Sequence, residues 1–252
     1  MKRSHLGLLV FIATCSWLIS ALDATAQVGS GTVHVDPVNG VDTSEQSGSA
    51  TAPLRTITYA LAQLNDLNVL QPWTLRLKPG EYKAPSETFP IALHSGMQLL
   101  GEGAGAGVTI TGVDNPNKND ALIYANGATS ITISGIVFQE QDRSGGTNQG
   151  GALELIGVSG QISDCKFIGN STRKAGGAIW ASLVDGASLP LSNLEFTGNS
   201  AWWADDSLMA GGAIFISGDY AGNVTGCTFT GNKARNYSGS ADGLPRAAGG
   251  AL

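Results

Sequence analysis

The chain has 252 residues, a formal net charge of −6 at pH 7, 13% charged residues and 35 glycines. The glycines follow no Gly-X-Y period, which excludes a collagen triple helix. Lys and Arg form no basic stripe, which argues against nucleic acid as a partner, because phosphate binding needs clustered cations. A chain of this length suits one large domain or an array of repeats.

The N-terminus has the pattern of a secretory signal peptide over residues 1–26. Two basic residues are followed by an apolar run over residues 6–19 and by small residues at 24–26, where cleavage would occur. The apolar run is shorter than a membrane span, and no other stretch is apolar enough to cross a bilayer. We therefore expect an exported mature chain that begins near Gln27. A lipoprotein modified at Cys15 is the alternative interpretation.

Residues 27–72 predict a strand, a polar loop and a helix ahead of the repeats. Residues 53–64 have the spacing of an amphipathic helix, and Pro53 suits its first turn. The apolar residues of one helical face are Leu54, Ile57, Leu61 and Leu64. A helix in this place would cap the open end of a strand stack and so prevent end-to-end aggregation.

The loop of this module contains side chains that suit a calcium ion. Asp36, Asn39 and Asp42 lie three residues apart in "DPVNGVD", and carboxylate and amide oxygens are the ligands that calcium prefers. The same residue types are favoured in tight turns, where their side chains bond to the nearby backbone. Turn chemistry explains these residues more simply, so the sequence predicts no cofactor, and calcium is the alternative interpretation.

Short strands punctuated by Gly and Pro are predicted after the helix, over residues 73–82, 96–103 and 107–112. Four later segments align without gaps, over residues 130–138, 159–167, 188–196 and 221–229. In each segment an aliphatic and a polar residue precede a turn former, and an apolar-x-Phe pattern follows. A period near 30 residues is typical of stacked units that bury a core only together. We predict an all-β fold, a right-handed parallel β-helix of the pectate-lyase type over residues 73–252.

Two columns of identical residues are expected to stack along this solenoid. The phenylalanines are Phe138, Phe167, Phe196 and Phe229, and the asparagines are Asn170, Asn199 and Asn232. Phenyl rings would fill the interior, and stacked asparagine amides can hydrogen-bond along their column. A Gly-Gly-Ala-aliphatic motif opens the next strand, and its glycines allow a sharp bend or a close backbone approach.

The two late cysteines share one column of the aligned segments. Cys165 and Cys227 lie two coils apart, which is roughly 10 Å at the usual strand spacing. A disulfide needs Cα atoms within about 7 Å of each other. We therefore predict two free thiols that act as small apolar residues.

Two groups of motifs resemble known families. The segments "HVDPVNGVD", "APLRTITYALAQ", "LKPGEY" and "SGMQLLGEG" resemble the N-terminal module of uncharacterised secreted right-handed β-helix proteins. The later GGA[IL] and F-x-G-N motifs resemble the repeats of the polymorphic outer membrane protein family. This resemblance implies a secreted or surface-displayed β-helix, associated with the outer membrane, with adhesion as its role. Residue 252 falls within a repeat motif, so we expect the sequence to be a piece of a longer protein.

The loop "SAWWADDSLMA" after the third phenylalanine carries the candidate site. Trp202 and Trp203 offer indole faces on which sugar rings stack, and Asp205 and Asp206 follow them. Glycoside hydrolysis needs two carboxylates placed across the scissile bond, so these acids are weak catalytic candidates. The alternative interpretation is that the adjacent acids diverge and that the tryptophans only cover the stack.

The repeated motifs contain no titratable group, so binding is expected in the variable loops that follow each asparagine. The basic residues of these loops are interpreted as solvated; they are Arg173, Lys174, Lys233 and Arg235. The sequence therefore predicts a non-catalytic exported protein that contacts a polysaccharide or a cell-surface partner through its inter-coil loops. The alternative is a carbohydrate-active enzyme, a polysaccharide lyase or glycoside hydrolase on the same fold.

Overall fold

A computed structural model describes residues 31–66, 72–103, 107–143, 145, 149–203 and 211–236. The chain is a parallel β-solenoid of about five turns with one short helix near the N-terminus, which confirms the predicted fold class. The predicted signal peptide and the acidic pair Asp205 and Asp206 lie outside the described residues. Within the described part of the chain, no helix is both long and apolar enough to cross a membrane.

Four sheets run along the solenoid, and all their strand pairs are parallel. Sheet A consists of β1 (Thr32–Val35), β2 (Thr74–Leu77), β5 (Gln98–Gly101), β8 (Ile131–Ser134), β12 (Gly160–Ser163), β16 (Leu191–Ser192) and β20 (Val224–Thr225). Sheet B consists of β3 (Gly80–Tyr82), β6 (Val108–Thr111), β9 (Val137–Gln139), β13 (Lys166–Ile168), β17 (Glu195–Thr197) and β21 (Thr228–Thr230).

The other two sheets complete the coils. Sheet C consists of β4 (Ile91–Leu93), β7 (Ile123–Asn126), β11 (Leu153–Ile156), β15 (Ile179–Ser182) and β19 (Ile214–Ser217). Sheet D consists of β10 (Asp142–Arg143), β14 (Ser171–Thr172), β18 (Ser200–Trp203) and β22 (Lys233–Asn236). From β8 onward the chain visits sheets A, B, D and C in turn. Strand β16 is short because Pro190, just before it, has no N–H to donate to the ladder.

Like residues of successive coils lie in register inside the solenoid. In sheet A, Ile162 pairs with Ile133 and Leu191, and Leu191 pairs with Val224. In sheet B the in-register residues are Phe138, Phe167, Phe196 and Phe229. Their rings stack with centroid separations of 5.2, 4.9 and 4.9 Å, and the first three are fully buried. The phenyl column therefore forms a continuous part of the core.

Asn170, Asn199 and Asn232 form a hydrogen-bonded ladder beside the phenyl column. The Nδ2 atom of Asn170 donates to Oδ1 of Asn199 at 3.0 Å, and Nδ2 of Asn199 donates to Oδ1 of Asn232 at 2.9 Å. Each amide also donates to the carbonyl oxygen of a phenylalanine in the preceding coil. Each Oδ1 accepts a backbone N–H from the preceding coil as well. Because these polar groups are paired, Asn170 and Asn199 are fully buried without the cost of an unsatisfied amide.

The corner between sheets A and B needs a left-handed backbone. The four residues of the corner column are Gly135, Asp164, Asn193 and Gly226, with φ of 73°, 53°, 54° and 63°. Glycine adopts this conformation freely, and Asp and Asn are the other residue types that tolerate it. The backbone conformation, rather than side-chain packing, therefore restricts the sequence at this corner.

The two glycines of the Gly-Gly-Ala motif meet different requirements. Gly176 has φ of 69°, and a Cβ there would lie 2.0 Å from the carbonyl oxygen of Ile179. Gly177 faces the next coil, where a Cβ would lie 2.1 Å from the carbonyl oxygen of Gly212. The motif therefore combines a tight turn with a close approach of two coils, and only glycine permits both.

Neither late cysteine is in a disulfide, as the coil spacing predicts. Cys165 and Cys227 are both free, the first buried and the second partly exposed. Burial raises the pKa of the Cys165 thiol to about 12. This thiol is therefore protonated at neutral pH and packs as an apolar side chain.

Helix α1 spans Ile57–Asp66, so the prediction that it begins at Pro53 is wrong. Leu54 lies before the helix and forms an isolated parallel bridge with Val35. Its backbone N–H donates to the carbonyl oxygen of His34 in β1, and its carbonyl oxygen accepts the N–H of Asp36, the residue after β1. Thr56 is the N-terminal cap, because its Oγ1 accepts a backbone N–H of the first turn at 3.0 Å. The chain thus extends sheet A briefly before the helix starts.

A carboxylate from a distant part of the chain holds the first turn of α1. Glu87 is 3% exposed, and its oxygens accept the N–H groups of Ile57 at 2.8 Å and Thr58 at 2.9 Å. Burial raises the pKa of Glu87, although these hydrogen bonds act in the opposite direction. Apolar residues of α1, including Ile57 and Leu61, join the core of the first coil. The helix is therefore fixed to the N-terminal end of the solenoid.

Candidate functional site

Sheet D places a row of side chains on the outer surface of the late coils. Ser200 pairs with Lys233, and Trp202 pairs with Arg235, in the register of β18 and β22. The residues between them, Ala201 and Ala234, are buried. Since side chains alternate between the faces of a strand, the serine, the tryptophan and both cations point away from the core.

These outward residues line a surface groove with a volume of about 390 Å³. The described residues that line it are Gly198, Ser200, Trp202, Lys233 and Arg235. Lys233 and Arg235 are exposed, and Trp202 is partly exposed. The described lining of this Trp202 groove therefore combines two cations with one aromatic ring and includes no carboxylate.

A third cation approaches the indole from the neighbouring coil. The guanidinium carbon of Arg173 lies 5.1 Å from the centroid of the Trp202 ring, within the range of a cation–π interaction. Arg173 follows Thr172, which pairs with Ala201, so the ring lies between two coils that each carry an arginine. These contacts fix the indole at the side of the groove.

The structure brings together only part of the site that the sequence predicts. Trp202 lies in the groove, whereas Trp203 is a backbone member of β18 whose side chain is outside the described residues. Asp205 and Asp206 are also outside them. The sequence predicts that Lys233 and Arg235 are solvated loop residues, but they belong to β22, where Arg235 pairs with Trp202 and Lys233 with Ser200, and both line the groove. The segments "SAW" (200–202) and "KAR" (233–235) each directly follow an asparagine of the ladder and have alanine between two outward residues. This alternation is the signal that could have identified the pairing.

The candidate calcium ligands are engaged in turn and cap contacts. Oδ1 of Asp36 accepts the N–H groups of Val38 and Asn39, and its Oδ2 accepts Nδ2 of Asn39 at 3.2 Å. Asp42 accepts the N–H groups of Arg55 and Thr56. The described residues contain no group of three or more His, Cys, Asp or Glu side chains that could hold a metal ion.

The pKa of Asp36 reflects these contacts. Burial would raise this pKa, but hydrogen bonds from Asn39 and Val38, together with the nearby Lys78, hold it below its ordinary value. The Nζ atom of Lys78 lies 3.7 Å from Oδ2 of Asp36. The ionised carboxylate therefore stabilises the loop that precedes the helix.

Comparison with known proteins identifies the family. A family model described as "Protein of unknown function (DUF1565)" matches residues 38–236. No curated protein and no solved structure matches the chain significantly. The resemblance to polymorphic outer membrane protein repeats is not tested by these comparisons and stays a prediction. Because the matched region covers most of the 252 residues, the chain belongs to the DUF1565 family.

Proposed function

We propose that this protein is exported and binds an acidic polysaccharide in the Trp202 groove, without cleaving it, at the cell surface or in the extracellular space. The observation that carries the proposal is the in-register pairing of Trp202 with Arg235 and of Ser200 with Lys233 on one exposed face. The signal-peptide pattern supports export, and the surface position of the groove is consistent with adhesion to a polymer.

The chemistry of the groove suits a sugar that carries carboxylate or sulfate groups. An indole ring offers a flat apolar surface against which the C–H face of a pyranose can pack. Arg235 can form paired hydrogen bonds with a planar carboxylate, and Lys233 adds a flexible point charge. A neutral sugar would use the ring and leave both cations without a partner.

The groove is basic although the whole chain is acidic. The formal net charge is −6, yet the described groove lining carries only positive charge. A local cationic patch of this kind attracts an anionic polymer to one face, while the overall charge limits non-specific binding. The affinity is therefore expected to fall as salt is added.

The test is calorimetric titration with hexagalacturonate. We expect saturable binding, a loss of about tenfold for Trp202→Ala, and a larger loss for the double variant Lys233→Ala/Arg235→Ala, since 1.4 kcal/mol of lost contact energy corresponds to about tenfold in affinity. The affinity of the double variant for hexagalacturonate should also depend less on salt concentration than that of the wild type. Lys166→Ala is the control, because Lys166 is a partly exposed cation of sheet B whose Nζ atom lies 2.7 Å from Oε2 of Glu195.

Two results would overturn the proposal. One is the absence of saturable hexagalacturonate binding, and the other is a double variant that binds as tightly as the Lys166→Ala control. The enzymatic alternative is checked in the same samples. The protein is incubated with pectin or polygalacturonate, with and without added calcium. If unsaturated or reducing ends accumulate, the protein is a lyase or hydrolase and not a non-catalytic binding protein.

A further inference from the structure

A second row of outward side chains lies on sheet C, away from the Trp202 groove. Glu154 of β11 pairs with Tyr124 of β7 on one side and with Trp180 of β15 on the other, and Trp180 pairs with Phe215 of β19. The strand neighbours of Tyr124, Glu154 and Trp180 are buried on the core side, as is Ile214, which precedes Phe215. We call the four residues Tyr124, Glu154, Trp180 and Phe215 the Glu154 row.

Each member of the Glu154 row is partly exposed. Three aromatic rings in adjacent strands, interrupted by one carboxylate, therefore face outward along the axis of the solenoid. Nothing in the packing of the core requires aromatic residues here, because the opposite face of each strand already supplies the buried aliphatic residues. The row is a surface feature that core packing does not explain.

A pocket of about 240 Å³ opens at the Tyr124 end of the row. Its lining residues are Pro90, Asp120, Ala121, Tyr124, Arg143 and Glu154. They come from three different coils, so the pocket exists only in the folded solenoid. Two carboxylates and a phenol ring thus border one small concave site beside the aromatic row.

A buried arginine holds the carboxylate of Glu154 in place. Arg143 is 1% exposed, and its guanidinium donates to Oε2 of Glu154 at 2.8 Å. The same guanidinium donates to the carbonyl oxygens of Asn119, Gln149 and Gly150. Burial lowers the pKa of Arg143, and Glu154 opposes that effect. A fully bonded buried cation of this kind fixes the orientation of its partner.

The other oxygen of Glu154 is left for a ligand. Among the described residues no group donates a hydrogen bond to Oε1 of Glu154, whose side chain is 18% exposed. Within the described part of the chain, two further polar atoms near the row are buried without a hydrogen-bond partner: Nε1 of Trp180 and Oε1 of Gln149. Unsatisfied polar atoms of this kind are rare in folded proteins and are typical of places where a ligand or water completes the hydrogen bonding.

We propose that the Glu154 row and its pocket bind a neutral, hydroxyl-rich saccharide that runs along the solenoid axis. Pyranose rings pack on Tyr124, Trp180 and Phe215, and sugar hydroxyls donate to the carboxylates of Glu154 and Asp120. Arg143 already neutralises Glu154, so the described lining of the pocket offers no free cation to an acidic sugar, and Asp120 repels one. This site is separate from the Trp202 groove in position and opposite to it in charge.

The experiment is a titration with cellohexaose, xylohexaose and mannohexaose, with hexagalacturonate as the acidic comparison. We expect at least one neutral hexasaccharide to bind, with a loss of tenfold or more for Trp180→Ala and for Phe215→Ala. Neither substitution touches Arg143, so each leaves the buried ion pair intact. Circular dichroism melting curves check that both variants are folded.

Cross-controls separate this site from the Trp202 groove. Trp202→Ala should leave the affinity for the neutral hexasaccharide unchanged, and Trp180→Ala should leave the affinity for hexagalacturonate unchanged. The inference is overturned if none of the three neutral sugars binds, or if folded Trp180→Ala and Phe215→Ala bind like the wild type. It is equally overturned if Trp180→Ala abolishes hexagalacturonate binding, since a single acidic-sugar site would then account for both faces.

Discussion

Phe167 and Trp202 are aromatic residues of adjacent coils, yet their surroundings differ in every respect. Phe167 is fully buried between two other phenyl rings, with centroids 5.2 and 4.9 Å away. Trp202 lies on the outer surface, where it contacts Arg173 and pairs with Arg235. The phenyl column repeats the same residue type in four coils, whereas the position of Trp202 is occupied by arginine in the coils before and after it.

This difference shows that interior and outward positions of the solenoid are under different constraints. An interior residue is restricted by its equivalents in the coils before and after it, because a stack of like side chains leaves no gap. An outward residue meets solvent or a ligand and is free to vary. Specific chemistry is therefore expected on the outer faces of sheets C and D, while the interior columns account for stability.

The largest loss of folding stability is expected where the backbones of two coils approach each other closely, at Gly177. Gly177→Ala should cost at least ~4 kcal/mol and reduce the soluble yield, because overpacking against backbone is among the few changes that reach this size. Gly198→Ala is the matched control: it has φ of 66°, but a Cβ there meets nothing within 4 Å. It should cost only ~1–2 kcal/mol, the penalty for a left-handed residue that is not glycine. Equal melting temperatures of the two variants would show that the coils do not approach as described.

The next largest loss of stability is expected in the middle of the phenyl column, and a smaller loss at its end. Phe167→Ala removes a ring with a neighbour on each side and should cost ~3–5 kcal/mol. Phe229 is only partly buried and stacks on Phe196 alone among the described rings, so Phe229→Ala should cost roughly 1 kcal/mol. Urea unfolding followed by circular dichroism measures both variants. A reversed order would contradict the continuous interior.

Removing one member of the asparagine ladder should lower the stability by an amount comparable to or slightly smaller than that of Phe167→Ala. Asn199→Ala leaves the backbone N–H of Asn170 and the carbonyl oxygen of Phe167 without their partners, which should cost roughly 3 kcal/mol. Thr197→Ala on the outer face of the same coil is the control, with an expected change within ~0.5 kcal/mol. If both variants unfold at the same urea concentration, the ladder does not stabilise the stack.

The smallest change in stability is expected on the outer surface. Trp202→Ala removes an exposed cation–π contact and should cost less than ~1 kcal/mol, although it weakens binding to the acidic sugar. The same melting experiment provides the measurement. A loss of stability as large as that of Phe167→Ala would mean that Trp202 covers the stack, which is the alternative interpretation of the sequence. Interior and outer aromatic residues would then not differ in their contribution to stability.

The sequence predicts most of the repeating scaffold because its signals are local or periodic. The corner column, the in-register phenylalanines and the free cysteines all follow from residue types that recur at 29 or 33 residues. The start of α1 could not be predicted in this way. Helical spacing favoured Pro53 as the first turn, but hydrogen bonds from Leu54 to β1 and the cap at Thr56 determine the boundary.

The candidate sites were much less predictable. Trp202 was recognised from the sugar-binding chemistry of indole, but its cationic partners were not, because Arg173 and Arg235 are distant from it along the chain. Three members of the Glu154 row, Glu154, Trp180 and Phe215, directly follow a Gly-Gly-Ala-aliphatic motif, so their alignment could have been found in the sequence. They share no residue type, however, and Tyr124 has no such motif before it, so the pattern alone did not indicate a binding surface. The arginine that orients Glu154 belongs to another sheet altogether.

Which side chains face the core and where each coil turns follow from the residues of each short segment, because alternation along a strand and tolerance of positive φ are properties of a few neighbouring residues. Only the tertiary structure decided which outward residues meet. Neighbours across a parallel ladder are about one coil apart in sequence, and the lengths of the intervening loops set their register. The ring, the cations and the carboxylates become sites only when successive coils are stacked.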